Sequence, residues 1–560
     1  MDNQPRLFSS NLFQAQRQVE AILNCCVLAW KETDTSRTPN CGISSIPVTA
    51  CSQVVQVCDI VAVRSIKDDD QDGVKTRRSQ KKAKCDQLYP HSFTVSYVRR
   101  TRRHQWCCSD VTFHCTSLGL CELWIQVINE QLSLFTNRPK SLLVFINPYG
   151  GKQLGKRIYE QKVAPLFRRA CISTDVIVTE RANHARDHLR AEADLDKYDG
   201  VVCVGGDGMF SEILHGLVTR TQMDNGVDQN QPDAELVPCS LRIGIIPAGS
   251  TDCICFATVG SIDPVTSALH IVVGDSQPMD VCSVHHDDVF LRYSVSLLGY
   301  GFYGDLLTDS ERKRWLGPAR YDLSGAKTFL DHNYYEGAVS FLPAENNVGT
   351  PRDKLLCRSG CRVCRREPSS KGSEQREMSE ELEASDKEGG HGWSVIHGKF
   401  LAINAANMSC ACPRSPKGLS PSAHLADGTM DLILVRKCSR LGFLRHLLRH
   451  TNKDDQFDHS FVEVHRVRTF HFQPRHHDLV SLEDLSEKTA FSPLCSLHAA
   501  CSYSAAHSSW TCDGEILPHA DIQVSVQHQL IRLFARGIEE EQQQQRTSED
   551  PFAPWTLEKS

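Results

Sequence analysis

Apolar residues fall into three successive rhythms along this chain. From residue 10 to 136, short apolar runs alternate with basic and polar turns: AILNCCVLAW, VVQVCDIVAV, SFTVSYV and VTFHCTS. They end in LCELWIQVINEQL, which has helical spacing and carries Trp124. This predicts a small β-barrel capped by one helix. Over 140–277 the runs SLLVFINP, DVIVTE, DGVVCVGG and LRIGIIPAG read as buried strands. Between them lie the helical stretches GKRIYEQKVAPLFRRA, HARDHLRAEADL and DGMFSEILHGLVTR. That alternation predicts a parallel sheet with helices on both faces. Over 278–536 the β rhythm returns (VFLRYSVSLLGYGF, GAVSFLP, VIHGKFLAINAANM, MDLILVRK, FVEVHRVRTFHFQP, IQVSVQHQLIRLFA) and predicts a mostly antiparallel second lobe. A charged, aromatic-free insertion at 366–392, a His-, Ser- and Cys-rich loop at 475–509 and a tail at 537–560 are expected to lack regular structure.

At 560 residues the chain has room for two or three domains with cores of their own. A net charge of −6 gives no reason to expect nucleic-acid binding, although a local basic patch is compatible with it. Twenty-five cysteines look like a disulfide inventory. Because the first residues, MDNQPRLFSS, do not read as a secretory signal, the expectation is reduced thiols in a cytosolic protein. No apolar run is long enough to span a bilayer, and Asp2 stands where N-myristoylation needs glycine, so membrane contact is expected to be peripheral.

Two glycine-rich stretches carry candidate phosphate chemistry. GGKQLGKR, 150–157, has the Gly-x₄-Gly-Lys spacing of a P-loop, but Arg157 stands where a Mg²⁺-holding hydroxyl belongs. Gly205-Gly206-Asp207-Gly208 closes one strand run and opens the helix MFSEILHGL. Glycines admit close approach of a phosphate, and a helix start adds N–H donors. Asp207 alone also reads as an ordinary N-cap.

NPYGGK (147–152), TERANHA (179–185), VGGDGMFSE (204–212), IPAGSTD (246–252) and CDGE (512–515) follow one another at strand ends, where open α/β sheets bind ligands. This order resembles the diacylglycerol and sphingosine kinase family over residues 140–536. Within it, LLGYGFYGDLL, RKRWLGPARYDLSG, GKFLAINAANMSCACPRSPKGLSP and HLADGTMDLILVRKCSR are similar to members that phosphorylate ceramide. The N-terminal pattern resembles a pleckstrin-homology domain. The fold implied is a pleckstrin-homology-like β-barrel, then a Rossmann-like α/β nucleotide domain and a β-sandwich lipid lobe. Met209 and Gln153 depart from the Thr and Gly common in the family.

The resemblance implies ATP and Mg²⁺, with Asp207 accepting the proton of the lipid hydroxyl as it attacks the γ-phosphorus. Glu515 remains an alternative base. ATP would lie near Asn147, Pro148, Tyr149 and Gly150. Thr179, Glu180, Arg181, Ala182, Asn183, Glu212, Gly249, Ser250 and Thr251 would shape its pocket. Arg314 and Arg320 would reach the phosphates, and Asp513, Gly514 and Glu515 would organise nucleotide or Mg²⁺. Gly205, Gly206, Asp207, Gly208 and Asp305 would meet the lipid. Sphingosine kinases carry Asp-x-Asp where this chain has Asp305-Leu306-Leu307, and losing the second carboxylate suits an N-acylated acceptor. Kinases for sphingosine or diacylglycerol, and a silent lipid-binding adaptor, are the alternatives.

Cys357, Cys361 and Cys364 are spaced for Zn²⁺, with Cys410 or Cys412 as a fourth ligand; a reduced cluster without metal is equally consistent. ILVRKCSRLGFLRHLLRH, 433–450, reads as a calmodulin target by its Leu434, Leu441, Leu447 spacing, or as a strand end and a packed helix. Family Ca²⁺ sensitivity makes calmodulin a candidate partner and Ca²⁺ a candidate regulator. Lys75, Arg77, Arg78, Lys81, Lys82 and 99–103 are candidates for anionic headgroups such as phosphoinositides, or an ordinary basic surface. The location implied is cytoplasmic, peripheral to Golgi and plasma membranes.

Overall fold

A computed structural model describes residues 7–15, 17–33, 53–66, 90–317, 319–345, 349–365, 392–451, 455–475 and 507–540. Lys75, Arg77, Arg78, Lys81 and Lys82, nearly all of the 366–392 insertion and most of 475–509 lie outside them. The first rhythm forms seven antiparallel strands: β1 (Phe8–Gln14), β2 (Arg17–Leu23), β3 (Val27–Glu32), β4 (Gln53–Gln56), β5 (Ile60–Ser65), β6 (His91–Arg100) and β7 (Trp106–Cys115). Their order is β4-β3-β2-β1-β7-β6-β5. Among the described residues β4 and β5 do not pair, so the expected barrel is an open sheet. Helix α1 (Leu118–Ser133) caps it: Ser117 accepts from the Leu120 N–H at its start, and Trp124 is fully buried, donating to Ser10 Oγ at 2.9 Å.

The second rhythm forms the parallel strands β8 (Ser141–Ile146), β9 (Ser173–Val178), β10 (Gly200–Gly205) and β11 (Arg242–Pro247), ordered β11-β10-β8-β9. β8 and β10 are buried almost throughout, as continuous Val, Leu and Ile runs require in a doubly covered sheet. β9 differs from the buried strand expected of DVIVTE. It forms the sheet edge, with Val176 and Val178 exposed, because no strand or helix covers its outer side among the described residues. Against the sheet lie α2 (His184–Ala191), α3 (Asp207–Asp224), α4 (Cys253–Val259) and α5 (Pro264–Val273).

The second lobe comprises β12 (Gln277–His286), β13 (Val289–Ser294), β14 (Leu297–Gly301), β15 (Tyr335–Pro343), β16 (Ser394–Ala406), β17 (Met430–Arg436), β18 (Val462–Pro474), β19 (Thr511–Cys512), β20 (Glu515–Ile516) and β21 (Ile522–Leu533). β16 and β18 pair along one half with β15 and along the other with β17, so each passes between two layers of a sandwich. The core between them holds Tyr300, Phe400, Phe470, Phe472 and Trp510. Helices α6 (Phe302–Glu311), α7 (Ala319–Asp331) and α8 (Arg440–Arg449) lie on one side of the lobe.

The lobes are not separate at residue 277. β21 pairs antiparallel with β12 and then parallel with β11, joining both lobes in one 14-stranded sheet. The expected tail also starts later than 537, since the Ser359 N–H donates to Ile538 O at 2.9 Å and Trp106 Nε1 donates to Glu539 at 3.0 Å. Trp106 further stacks on His270 of α5 at 3.8 Å, and its N–H donates to Thr266 Oγ1 at 2.9 Å. The N-terminal domain is thereby docked on the nucleotide domain. Arg100, expected to face lipid, is spent in this interface on Asp59 and Glu539; Arg102 and Arg103 remain exposed.

Candidate functional site

Three loops leave the carboxyl ends of β8, β10 and β11 and meet through their glycines. A Cβ on Gly151 would lie 2.6 Å from Ala248 O, and one on Gly249 would lie 2.6 Å from Gly206 Cα. Backbone approach this close admits no side chain. Asn147 shapes the first loop: its Oδ1 accepts the N–H groups of Tyr149 and Gly150 at 2.9 and 3.1 Å. Pro148 is half-buried in this loop, and Tyr149, Ser250 and Thr251 are exposed at its mouth. Helix begins at Gly155, whose Cβ would meet Asn147 O at 2.8 Å, so Lys156 and Arg157 belong to that helix rather than to a P-loop. Gln153 holds φ +59°, a left-handed conformation that favours glycine.

Asp207 opens α3, and its carboxylate reaches across to α4, accepting the N–H groups of Cys253 and Ile254 at 3.1 and 3.0 Å. Each carboxylate oxygen keeps a further acceptor site. Burial pushes the Asp207 carboxyl up, the two N–H groups oppose this, and the Asp513 charge adds to the rise. Burial likewise raises Asp252 to about 6 against the N–H of Gly249, with Asp207 contributing. Glu212, one turn along α3, is raised chiefly by burial, and its Oε2 has no hydrogen-bond partner. Backbone N–H groups of Asn183 and Ala185, at the start of α2, oppose that rise, and an unpartnered buried carboxylate oxygen is a fitting ligand for a hard cation.

The third expected segment divides. Thr179 is buried and its hydroxyl donates to Ile146 O at 3.3 Å, which ties β9 to β8. Glu180, Arg181 and Ala182 are exposed, Arg181 pairing with Asp187, and Asn183 precedes α2 at φ +61°.

CDGE arrives from the second lobe on β19 and β20. Asp513, expected to organise nucleotide or Mg²⁺, spends its carboxylate on the turn at 294–297, accepting from the N–H groups of Val295, Ser296 and Leu297 and the hydroxyls of Ser294 and Ser296. Those groups break the run VFLRYSVSLLGYGF into β13 and β14 and would otherwise be unsatisfied. Gly514 follows at φ +87°, and both it and Gly208, at the start of α3, face open space. Glu515 forms an ion pair with Arg292, which also donates to Ser211 Oγ at 3.0 Å. Arg292 carried no signal in the sequence, because its partners Ser211 and Glu515 lie 81 and 223 residues away.

Asp305, in the first turn of α6, accepts from Tyr335 Oη and Ser508 Oγ, each at 2.6 Å. Leu307 is buried at 8% exposure, where a second carboxylate would stand without a partner. Arg314 and Arg320 converge on Glu311; Arg314 is exposed, and Arg320 also lies over the Tyr321 ring. Cys357, Cys361 and Cys364 gather with His424, whereas the Cys410 thiol donates to Ser296 O and Met408 O. The stretch 433–450 is no single helix: Leu434 is buried in β17 and Leu441 is exposed on α8, so its leucines share no face.

A glycine-lined phosphate cradle on a parallel sheet, faced by the carboxylate-bearing edge of a β-sandwich, marks the class of lipid kinases. Three family models match in succession: the ceramide kinase PH domain over 8–128, the diacylglycerol kinase catalytic domain over 141–284 and the ceramide kinase C-terminal domain over 296–549. The chain is 59% identical to a ceramide kinase of Homo sapiens, covering 90% of this chain and 92% of that one. To that of Mus musculus it is 55% identical over 90% and 93%, and to that of Arabidopsis thaliana 33% over 78% and 79%. The chain belongs to the ceramide kinase family.

Proposed function

We propose that the protein transfers the γ-phosphoryl group of ATP to the primary hydroxyl of ceramide, giving ceramide 1-phosphate and ADP. The observation that carries this reading is the position of Asp207, at the mouth of the glycine cradle and opposite the CDGE hairpin of the lipid lobe. An alcohol is too weak an acid to ionise beforehand, so its proton passes to the carboxylate as the O–P bond forms. The contact of Asp207 with α4 fixes its orientation, which matters more here than basicity. Glu212 and Asp252 would hold Mg²⁺, which supplies charge neutralisation on the transferring phosphate. Buried Leu307 supports a neutral, N-acylated acceptor over sphingosine.

An acceptor panel with labelled ATP and Mg²⁺ tests this. Ceramide is expected to be labelled, and sphingosine and diacylglycerol left nearly untouched. Labelling of sphingosine alone would sink the assignment, and labelling of none would favour the adaptor.

Membrane association is part of the proposal. Trp315, and Leu323 and Leu330 of α7, are exposed at 81%, 51% and 66%; Leu441, Leu444 and Leu448 of α8 are exposed too, and Arg440 ties α8 to α7 by donating to Leu330 O at 3.0 Å. Apolar tips among arginines suit an anionic bilayer. The N-terminal domain would add phosphoinositide binding, and the cellular site would be cytoplasmic, peripheral to Golgi and plasma membranes. Sedimentation with phosphoinositide vesicles, and fractionation of cells, check these points. Ca²⁺ regulation would act through calmodulin on α8, the one part of 433–450 with exposed leucines among arginines; Ca²⁺-dependent capture of Leu444→Asp against the parent chain decides it.

A further inference from the structure

Cys357, Cys361 and Cys364 lie on a loop between β15 and β16, and His424 lies in the loop before β17, 60 residues from the last of them by the numbering. The four ligand atoms, three thiols and one imidazole nitrogen, all fall within 4.8 Å of one another. Cys357 Sγ and Cys364 Sγ are 3.6 Å apart, and Cys361 Sγ lies 3.3 Å from His424 Nδ1. Tetrahedral zinc with Zn–S near ~2.3 Å and Zn–N near ~2.0 Å requires edges of about 3.5–3.8 Å. The two shortest contacts lie within about 0.2 Å of these edges, and the whole set fits inside 4.8 Å.

We infer that these residues form a Cys₃His zinc site, with His424 as the fourth ligand. Three observations favour metal over an idle thiol cluster. Cys364 and His424 are both nearly fully buried, and converging polar ligands are rarely placed there without a partner. The four ligands come from two loops far apart in sequence, and the Cys loop is also anchored to β21, where Gln529 Nε2 donates to Cys364 O at 3.1 Å. A cavity of about 270 Å³ lined by Gly360, Cys361, Cys364 and Arg365 reaches the thiols and offers an entry path. Four ligands filling four positions make the site closed and therefore structural.

The ion would fasten the Cys loop to the segment that carries Leu425 and Gly428. That segment in turn holds the β12–β21 junction: Leu425 O accepts from the Asp280 N–H at 2.7 Å, and Gly428 N donates to Asp280 at 2.6 Å. Zinc would thus brace the seam between the two lobes. Binding replaces three thiol protons by one Zn²⁺ with no change of oxidation state.

The test is metal analysis of the full-length protein purified without chelator. About one zinc per chain is expected, lost in Cys361→Ser and His424→Ala and kept in Cys412→Ser. His424→Cys is expected to keep the metal, which guards against loss by misfolding. Cobalt substitution should give tetrahedral d–d bands that shift between the parent chain and His424→Cys. A metal-free parent chain, a Cys357–Cys364 disulfide, or zinc retained by Cys361→Ser would each overturn the inference.

Discussion

Gly249 and Gly206 touch backbone to backbone: a Cβ on Gly249 would come within 2.6 Å of Gly206 Cα and 2.7 Å of Asp252 Oδ1. The first is backbone and cannot step aside, and the second is a carboxylate oxygen held there by the Gly249 N–H at 2.9 Å. Gly249→Ala is therefore expected to spread two of the three loops and lower kcat/KM for ATP by about 100-fold, the effect of a small displacement at a positioned site. Steady-state kinetics with ATP varied would read this out, and an unchanged KM and kcat would contradict it.

Asp207 and Asp513 invite different outcomes. Asp207→Asn removes the proton acceptor and turns an N–H donor toward the N–H groups of α4, so kcat should fall by roughly 10²–10⁴-fold. Asp513→Asn leaves that acceptor intact but disturbs the 294–297 turn, so its main effect should be a lower melting temperature. If Asp513→Asn loses as much kcat at unchanged stability, Asp513 acts on the nucleotide after all.

Trp106 joins two domains, stacked on His270 and covered by the guanidinium groups of Arg100 and Arg536. Trp106→Ala should cost about 3–5 kcal/mol at this interface. Limited proteolysis between residues 133 and 141 should accelerate while the N-terminal sheet, whose core is built around Trp124, stays folded.

His215 links α3 to β13 in its neutral form, donating from Nδ1 to Ser211 O at 2.7 Å and accepting the Tyr293 N–H at Nε2 at 3.0 Å. Burial, with the nearby Arg292 charge, lowers it to about 4. The unfolded chain takes up this proton near pH ~6.5. Stability is thus full above that pH and is lost as pH falls toward 4, by roughly 3 kcal/mol from this group. Urea unfolding at pH 7 and pH 5 should show the loss, with a shallower slope in His215→Asn.

Leu307→Asp tests the acceptor argument. A buried, unpaired carboxylate should lower the melting temperature without conferring activity on sphingosine. A gain of sphingosine phosphorylation would mean that Leu307 reaches the lipid's polar head.

Much of this was written in the chain itself. Hydrophobic rhythm determined the strands, the switch from sheet to helix–strand alternation and back, and the strand ends at which the glycine motifs sit, because period and burial are local properties of sequence. β9 was misread because DVIVTE is apolar enough for a buried strand, and only strand order makes it an edge. Whether the N-terminal strands close into a barrel is not local either, because closure depends on whether the end strands meet. What the tertiary structure alone decided are partnerships between distant residues: Asp207 with α4, Asp513 with the 294–297 turn, Arg292 with Glu515, and His424 rather than Cys410 or Cys412 beside the three thiols. Such contacts depend on how two lobes close around β21, and no spacing within one segment encodes that.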